Sequence, residues 1–202
     1  MAKAALIGAS GNAGSRILKE LSARGHDVTA IARSPEKIAQ LPGVTAVAGD
    51  VSDETALVDL LKGHDVVISA VHFTASDPDK LIGAVKASGV PRYLVVGGAA
   101  SLLVEGKPLI DSPTFPDAYK PEAKGGIVFL DKLRATDGFD WVFLSPSAEF
   151  TAGERTGKFR LGKDDLLSTD KGSSISFEDF AIALVDELEK PAHHRERFTV
   201  GY

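Results

Sequence analysis

A doubly wound α/β fold on a parallel sheet is the architecture this sequence predicts, and three observations predict it. Short runs rich in Val, Ile, Leu and Ala recur along the chain and alternate with longer stretches of helical period. Those runs are apolar almost throughout, as strands buried on both faces should be. The first of them passes straight into a glycine turn and then a helix, the opening of a β-α unit.

Taken in order, Ala4–Ile7, Val28–Ala32, Val44–Ala48, Val66–Ser69, Tyr93–Val96 and Trp141–Leu144 read as strands. Helices are expected at Ala13–Ala23, Asp53–Leu61, Asp77–Ala87 and Glu122–Ala135, with a short one at Pro35–Leu41. Phe177–Lys190 is amphipathic, with Phe177, Phe180, Ala181, Leu184, Val185 and Leu188 on one stripe, and Arg197–Tyr202 reads as a last strand. Right-handed crossovers would join parallel neighbours. The sequence Gly-His-Asp-Val occurs twice, at Gly25–Val28 and Gly63–Val66. Each copy marks a turn from helix into strand, with a left-handed glycine at the helix end and a structural histidine after it.

The 202 residues carry no linker, low-complexity tract or repeat, so residues 1–202 are read as a single domain. Two irregular stretches, about 98–120 and 146–176, are expected to shape the substrate side. A net charge of −5 offers no broad attraction to nucleic acid or to an anionic membrane. With no cysteine there is no disulfide, thiolate metal site or cysteine nucleophile. His193 and His194 sit in a charged turn without further ligands, so no metal is expected. No apolar run approaches ~18 residues and none resembles a leader, which predicts a cytoplasmic protein with no membrane span. No motif speaks to oligomeric state.

The functional signal begins at Gly8-Ala-Ser-Gly11-Asn-Ala-Gly14, between the first strand and the first helix. Glycines there allow a tight turn, close approach of backbone to phosphate and close helix–strand packing, and the helix end offers free N–H groups and a positive dipole. This is the phosphate-binding start of a Rossmann-type dinucleotide fold, with Ser10, Asn12 and Ala13 as further donors. At the end of the second strand, an acid ~20 residues beyond the glycines would read the 2′-hydroxyl of NAD, while an arginine accommodates the 2′-phosphate of NADP. The chain offers Arg33 and Ser34 there, which predicts NADP(H) as cofactor. Asp50 and Val51 follow the third strand, with Asp50 placed to accept from the adenine amino group. Ala70, Val71 and His72 follow the fourth, where small residues would let the backbone pass beneath the ribose.

Together with Gly8–Gly14 and Arg33, several later stretches resemble one known group: Leu94–Ser101, Asp140–Pro146, Gly153–Gly157 and Ile175–Ala181. The resemblance is to the NADH-flavin reductase group of the atypical short-chain dehydrogenase/reductase family, related to NmrA-like and biliverdin reductase B-like proteins. The glycine spacing, GxxGxxG, is similar to that of the extended and atypical members. The resemblance implies an NADP-dependent oxidoreductase whose partner is a small-molecule acceptor, a flavin or quinone-like ring. Many members use a serine and a Tyr-x-x-x-Lys pair; Ser101 and Lys124 occupy the serine and lysine places. The position four before Lys124 is Lys120, and Tyr119 is one residue out of register, an error of ~100° on a helix. Ser145 and Pro146 are expected to turn the chain beside the nicotinamide and leave backbone free to bind its carboxamide. Phe150 is expected to wall the hydride-transfer face, and Arg155 to pair with an anionic substrate group. The alternative is an NmrA-like sensor that holds NADP(H) without turnover; the missing tyrosine favours it.

Overall fold

A computed structural model describes residues 1–202. Its strands are β1 (Lys3–Ile7), β2 (Asp27–Ala32), β3 (Val44–Ala48), β4 (Val66–Ser69), β5 (Arg92–Val96), β6 (Leu103–Val104), β7 (Lys107–Pro108), β8 (Asp140–Pro146), β9 (Glu149–Thr151), β10 (Arg160–Gly162), β11 (Ser174–Ser176) and β12 (Glu196–Gly201). Its α-helices are α1 (Asn12–Ala23), α2 (Glu54–Leu61), α3 (Pro78–Ser88), α4 (Lys120–Arg134) and α5 (Phe177–Glu189). Pro35–Lys37 is a single 3₁₀ turn, shorter than the helix expected there.

One eight-stranded sheet runs in the order β10-β12-β8-β5-β4-β1-β2-β3. Every neighbouring pair from β3 to β12 is parallel, and only β10 joins antiparallel, at the edge. The order reverses direction at β1, whose neighbours are β2 and β4; a crevice opens at such a switch point, beyond the carboxyl ends of the strands.

The period-two alternation of each strand divides the interior into two cores. Ala4, Leu6, Val28 and Ala30 face α1 and α5, with Ile17, Leu18, Leu21, Phe180 and Leu184 from those helices. Ala5, Ile7, Ile31, Val67 and Tyr93 face the opposite layer of α2, α3 and α4, with Leu57, Leu81, Phe129 and Leu133. Each large side chain buried this way contributes about 1.5–3 kcal/mol. Helix starts follow local chemistry. The Asp53, Asp77 and Ser176 side chains accept from Ala56, Asp79 and Asp179 amides at the starts of α2, α3 and α5. No helix is long and apolar enough to cross a membrane.

The two Gly-His-Asp-Val turns form as the sequence predicts, with φ of +77° at Gly25 and +75° at Gly63. Both histidines are buried. His26 Nδ1 accepts from the Ala2 amide and Nε2 meets Glu189 at 2.9 Å. His64 bridges the Leu61 carbonyl and the Thr29 hydroxyl.

Candidate functional site

The site is built from the loop between β1 and α1. Gly8 takes a φ of +82°, and its amide and that of Ala9 both donate to the Ile31 carbonyl on β2. A side chain at Gly8 would place its Cβ 2.5 Å from the Ala70 carbonyl oxygen, and one at Gly14 would fall 2.1 Å from that of Gly8. These two glycines therefore let β1, the β4 loop and α1 lie backbone against backbone. Gly11 differs: it caps α1 with an ordinary extended backbone (φ −74°), and a Cβ there would come no nearer than 3.3 Å to another residue. Ser10, Gly11 and Asn12 are exposed, no side chain caps the helix, and its first turn holds no acid. The amides of Asn12, Ala13 and Gly14 thus have no intrahelical acceptor and lie at the positive end of the dipole.

The sheet order sets the remaining groups along the same carboxyl edge. Arg33 and Ser34 leave β2; Arg33 is exposed and joins no ion pair. Asp50 and the half-buried Val51 leave β3 next door. The Asp50 carboxylate accepts from the Ser52 amide at 2.8 Å. Its pKa is lowered by the Ser52 amide and hydroxyl and, more weakly, by the charge of Arg33. Ala70 and Val71 leave β4 against Gly8. A separate cleft is lined by Val51, Ser52, Thr74, Ser76, Asp77 and Lys80.

His72 is 84% exposed, with Nδ1 at 3.3 Å from Glu122 at the start of α4. That carboxylate also accepts from the Phe73 amide, the Thr74 amide and the Thr74 hydroxyl at 2.8–2.9 Å. Burial works to raise the Glu122 pKa, but the Thr74 and Phe73 donors outweigh it and hold the carboxyl below its ordinary value. Phe73 is thereby fixed against Phe143 of β8, with ring centroids 6.1 Å apart and planes nearly parallel. Helix α4 meets it with Gly125 and Gly126, where a Cβ would come within 2.8 and 3.0 Å of the Phe73 side chain. The sequence reading missed Glu122 and Phe73; the Gly125-Gly126 pair inside a helix was the available signal.

On α4, Tyr119 is 66% exposed at the cap position and Lys120 pairs with Asp117. Lys124 is exposed and free of acid partners. No tyrosine stands in register with Lys124. Ser101 lies half-buried after β5, its Oγ accepting from Arg197 at 3.1 Å.

Three expected placements need correction. The chain does not turn at Ser145 and Pro146. Strand β8 continues through both, in register with Thr199 and Val200 of β12, and the Ser145 carbonyl accepts from the Thr199 hydroxyl at 2.8 Å. Past Leu144 only β12 lies alongside, so a proline without an N–H is tolerated there. Phe150 lies in the α1/α5 layer, 4.6 Å from the Phe177 ring and 4.7 Å from Phe180, so it packs the core. Arg155 donates twice to Glu20, at 2.9 and 2.8 Å, because that buried carboxylate on α1 needs a counter-charge.

Comparison with known proteins agrees with this geometry. The family model described as NAD(P)H-binding matches residues 8–191. An uncharacterized protein of Bacillus subtilis, YwnB, is 45% identical over 98% of this chain and 97% of its own length. The crystal structure of a "putative epimerase" from Bacteroides thetaiotaomicron superposes with a TM-score of 0.93 at 44% identity, over 99% of this chain and 96% of that one. That of a "putative NADH-flavin reductase" from Streptococcus pneumoniae gives 0.86 at 40% identity, over 100% and 99%. With a free, uncapped helix end behind a glycine turn at a sheet switch point, and a family match across nearly its whole length, this chain belongs to the NAD(P)H-binding family.

Proposed function

We propose that the chain is an NADPH-dependent reductase that delivers hydride to a flat conjugated acceptor, a flavin or quinone-like ring. The observation that carries this reading is the edge running from the bare end of α1 to Arg33, with no acid where a 2′-hydroxyl would be read. In this reading the Asn12, Ala13 and Gly14 amides hold the pyrophosphate and Arg33, helped by Ser34, the 2′-phosphate. Asp50 accepts from the adenine amino group, and Ala70 and Val71 pass beneath the ribose. Lys124 would reach the nicotinamide ribose, and the Phe73–Phe143 stack excludes water beside it. Bound NADPH would supply the hydride; the chain supplies orientation and a dry face.

The choice of acceptor follows from α4. Reducing a carbonyl needs a positioned acid for the nascent alkoxide, and the exposed Tyr119 is poorly placed to be one. A flavin or quinone takes its proton from water, so positioning suffices. Similarity to a protein named as a putative NADH-flavin reductase supports the same choice. The tyrosine's displacement also favours a second reading, an NADP(H)-binding sensor without turnover.

The test is NADPH and NADH oxidation against flavins, quinones and carbonyls, with calorimetry of both cofactors. NADPH should bind roughly tenfold to a hundredfold tighter than NADH, the worth of a charge-assisted hydrogen bond, and Arg33→Ala should erase the difference. Equal affinities in the parent protein would refute the Arg33 assignment. Tight NADPH binding with no turnover of any acceptor would establish the sensor instead.

A further inference from the structure

Helix α4 opens in an unusual way. Glu122 stands at its third position, where a carboxylate ordinarily turns back to the start of its own helix. No side chain caps this helix. The carboxylate instead reaches the segment that follows β4. Its Oε1 accepts from the Phe73 amide at 2.8 Å, and its Oε2 from the Thr74 amide and hydroxyl at 2.9 and 2.8 Å. His72 Nδ1 stands 3.3 Å from the same Oε1. Neither the Phe73 amide nor the Thr74 amide has a backbone acceptor, so one side chain satisfies both.

Glu122, Gly125 and Gly126 share one face of α4, being three and four residues apart. A Cβ at either glycine would crowd the Phe73 side chain, at 2.8 and 3.0 Å, so that ring lies against the bare helix. This face of α4 is therefore held at two points, by a carboxylate on loop amides and by an aromatic ring on glycines. Two such contacts fix the rotation of the helix about its axis as well as its distance from β4. Lys124 lies two residues beyond Glu122, ~200° round the helix, and is exposed and free of acid partners. Its position is set from behind, through the face that Glu122 pins.

We infer that Glu122 is a positioning residue for the nicotinamide half of the cofactor, and that the adenosine half is held without it. The inference rests on the placement of Lys124 at the nicotinamide ribose in the reading above. It divides the cofactor between two parts of the fold. The glycine loop, Arg33 and Asp50 follow β1, β2 and β3, which are neighbours in the sheet and keep their spacing whatever α4 does. The nicotinamide side depends on α4 and the β4 segment, which Glu122 joins. Without that carboxylate two amides lose their acceptor, and α4 is free to rock on the Phe73 ring. Lys124 then meets the ribose out of register, and the nicotinamide is held less tightly and out of line. Glu122 itself touches neither reacting ring. A misplacement of about 1 Å costs hydride transfer on the order of a hundredfold.

The test compares the whole cofactor with its adenosine half, and needs no turnover. In Glu122→Gln an amide NH2 replaces one accepting oxygen at full side-chain size. By calorimetry NADPH affinity should fall roughly tenfold, the worth of a hydrogen bond to a charged group. Adenosine 2′,5′-bisphosphate should bind within about twofold of the parent. A parent protein that prefers NADH is tested in the same way with NADH and AMP. Lys124→Ala should show the same split, and the double variant should lose little more than the worse single one, because the two residues act in series. With FMN as acceptor, kcat of Glu122→Gln should fall about tenfold to a hundredfold, and Glu122→Asp, which keeps the charge, should recover part of it. Should Glu122→Gln fail to fold, Thr74→Val, which removes only the hydroxyl donor, should give a smaller split of the same sign. Equal weakening of NADPH and the bisphosphate, weakening of neither, a Lys124→Ala variant without the split, or losses that add in full would each overturn the inference. The split beside a parent protein that reduces neither FMN nor 1,4-benzoquinone would instead overturn the reductase reading and leave the positioning role standing.

Discussion

Two loops of this protein carry glycines at both ends and lie against α1, yet different forces hold them. In the loop from Gly8 to Gly14, backbone meets backbone. The Gly8 amide reaches the Ile31 carbonyl, the Gly11 amide reaches the Gly8 carbonyl, and missing side chains allow the contacts. The strap from Gly153 to Gly157 is held by side chains brought from elsewhere. Glu178 accepts from the Gly153 amide, Ser176 donates to the Glu154 carbonyl, and Arg155 forks onto Glu20. Asp179 accepts from the Thr156 hydroxyl and the Gly157 amide. A shape enforced by close backbone packing should break on substitution and ignore pH. One enforced by carboxylates should tolerate substitution and soften in acid.

The sharpest way to break the comparison is Gly14→Ala. With its Cβ 2.1 Å from a backbone oxygen, relief requires the helix or the turn to move. The expected cost is about 3 kcal/mol or more, read from urea denaturation. A loss within about 1 kcal/mol would mean the loop is softer than its geometry implies.

Gly11→Val sharpens the distinction within the same loop. The φ of −74° suits any residue and the nearest contact is 3.3 Å, so stability should fall by only about 1 kcal/mol for a poorer cap. A side chain there would stand in front of the free amides, and NADPH affinity should fall roughly a hundredfold, about 3 kcal/mol. Normal binding would place the phosphate site elsewhere.

The smallest effect belongs to the strap. Glu20 is held below its ordinary pKa of 4.5 chiefly by its hydrogen bond from Arg155, working against burial. Glu178 is opposed by burial, but the Gly153 amide and Arg16 outweigh it and hold it below the same value. A carboxyl depressed on folding contributes stability that is whole above the unfolded value and drains away as pH falls through the folded one. Between neutrality and a pH below 4.5, the Gly153 amide should therefore lose protection from hydrogen exchange, after correction for the intrinsic rate. The Gly11 amide, bonded to a carbonyl, should keep its protection. The local loss should be about 1 kcal/mol or less, because the Arg16–Glu178 pair behind that amide is partly exposed. Equal softening of both amides would erase the distinction.

The same contrast explains what could be read from sequence. The parallel strands were legible to within a residue or two because the inner ones, buried on both faces, write a continuous apolar run; the exposed edge strand β3 is as apolar in sequence without being buried. The glycine turn was legible because its constraints are local. The place of Arg33 was legible for the same reason: it directly follows a strand whose end is fixed. Arg155 was not, because its partner Glu20 lies far away in the chain and nothing near Arg155 announces it. Phe150 could pack either way until Phe177 and Phe180 were brought beside it. The short strands β6, β7, β9, β10 and β11 hold two or three residues each, too few to show a period. Glu122 and Arg197 carried no local signal, because their partners Phe73 and Asp164 lie far away in the chain.

The position of β12 between β8 and β10 has a kinetic consequence. Strand β10 precedes β12 in the chain, yet its pairing in the main sheet is to β12, and β12 must itself dock on β8. Strands β1 to β5 and β8 can assemble through successive crossovers, but the sheet cannot close on this side until the latest-encoded strand arrives. During that interval the outer edge of β8 is an unpaired row of N–H and C=O groups flanked by buried-type side chains, a template for another chain. Refolding yield should therefore fall with protein concentration more steeply than equilibrium stability alone would suggest.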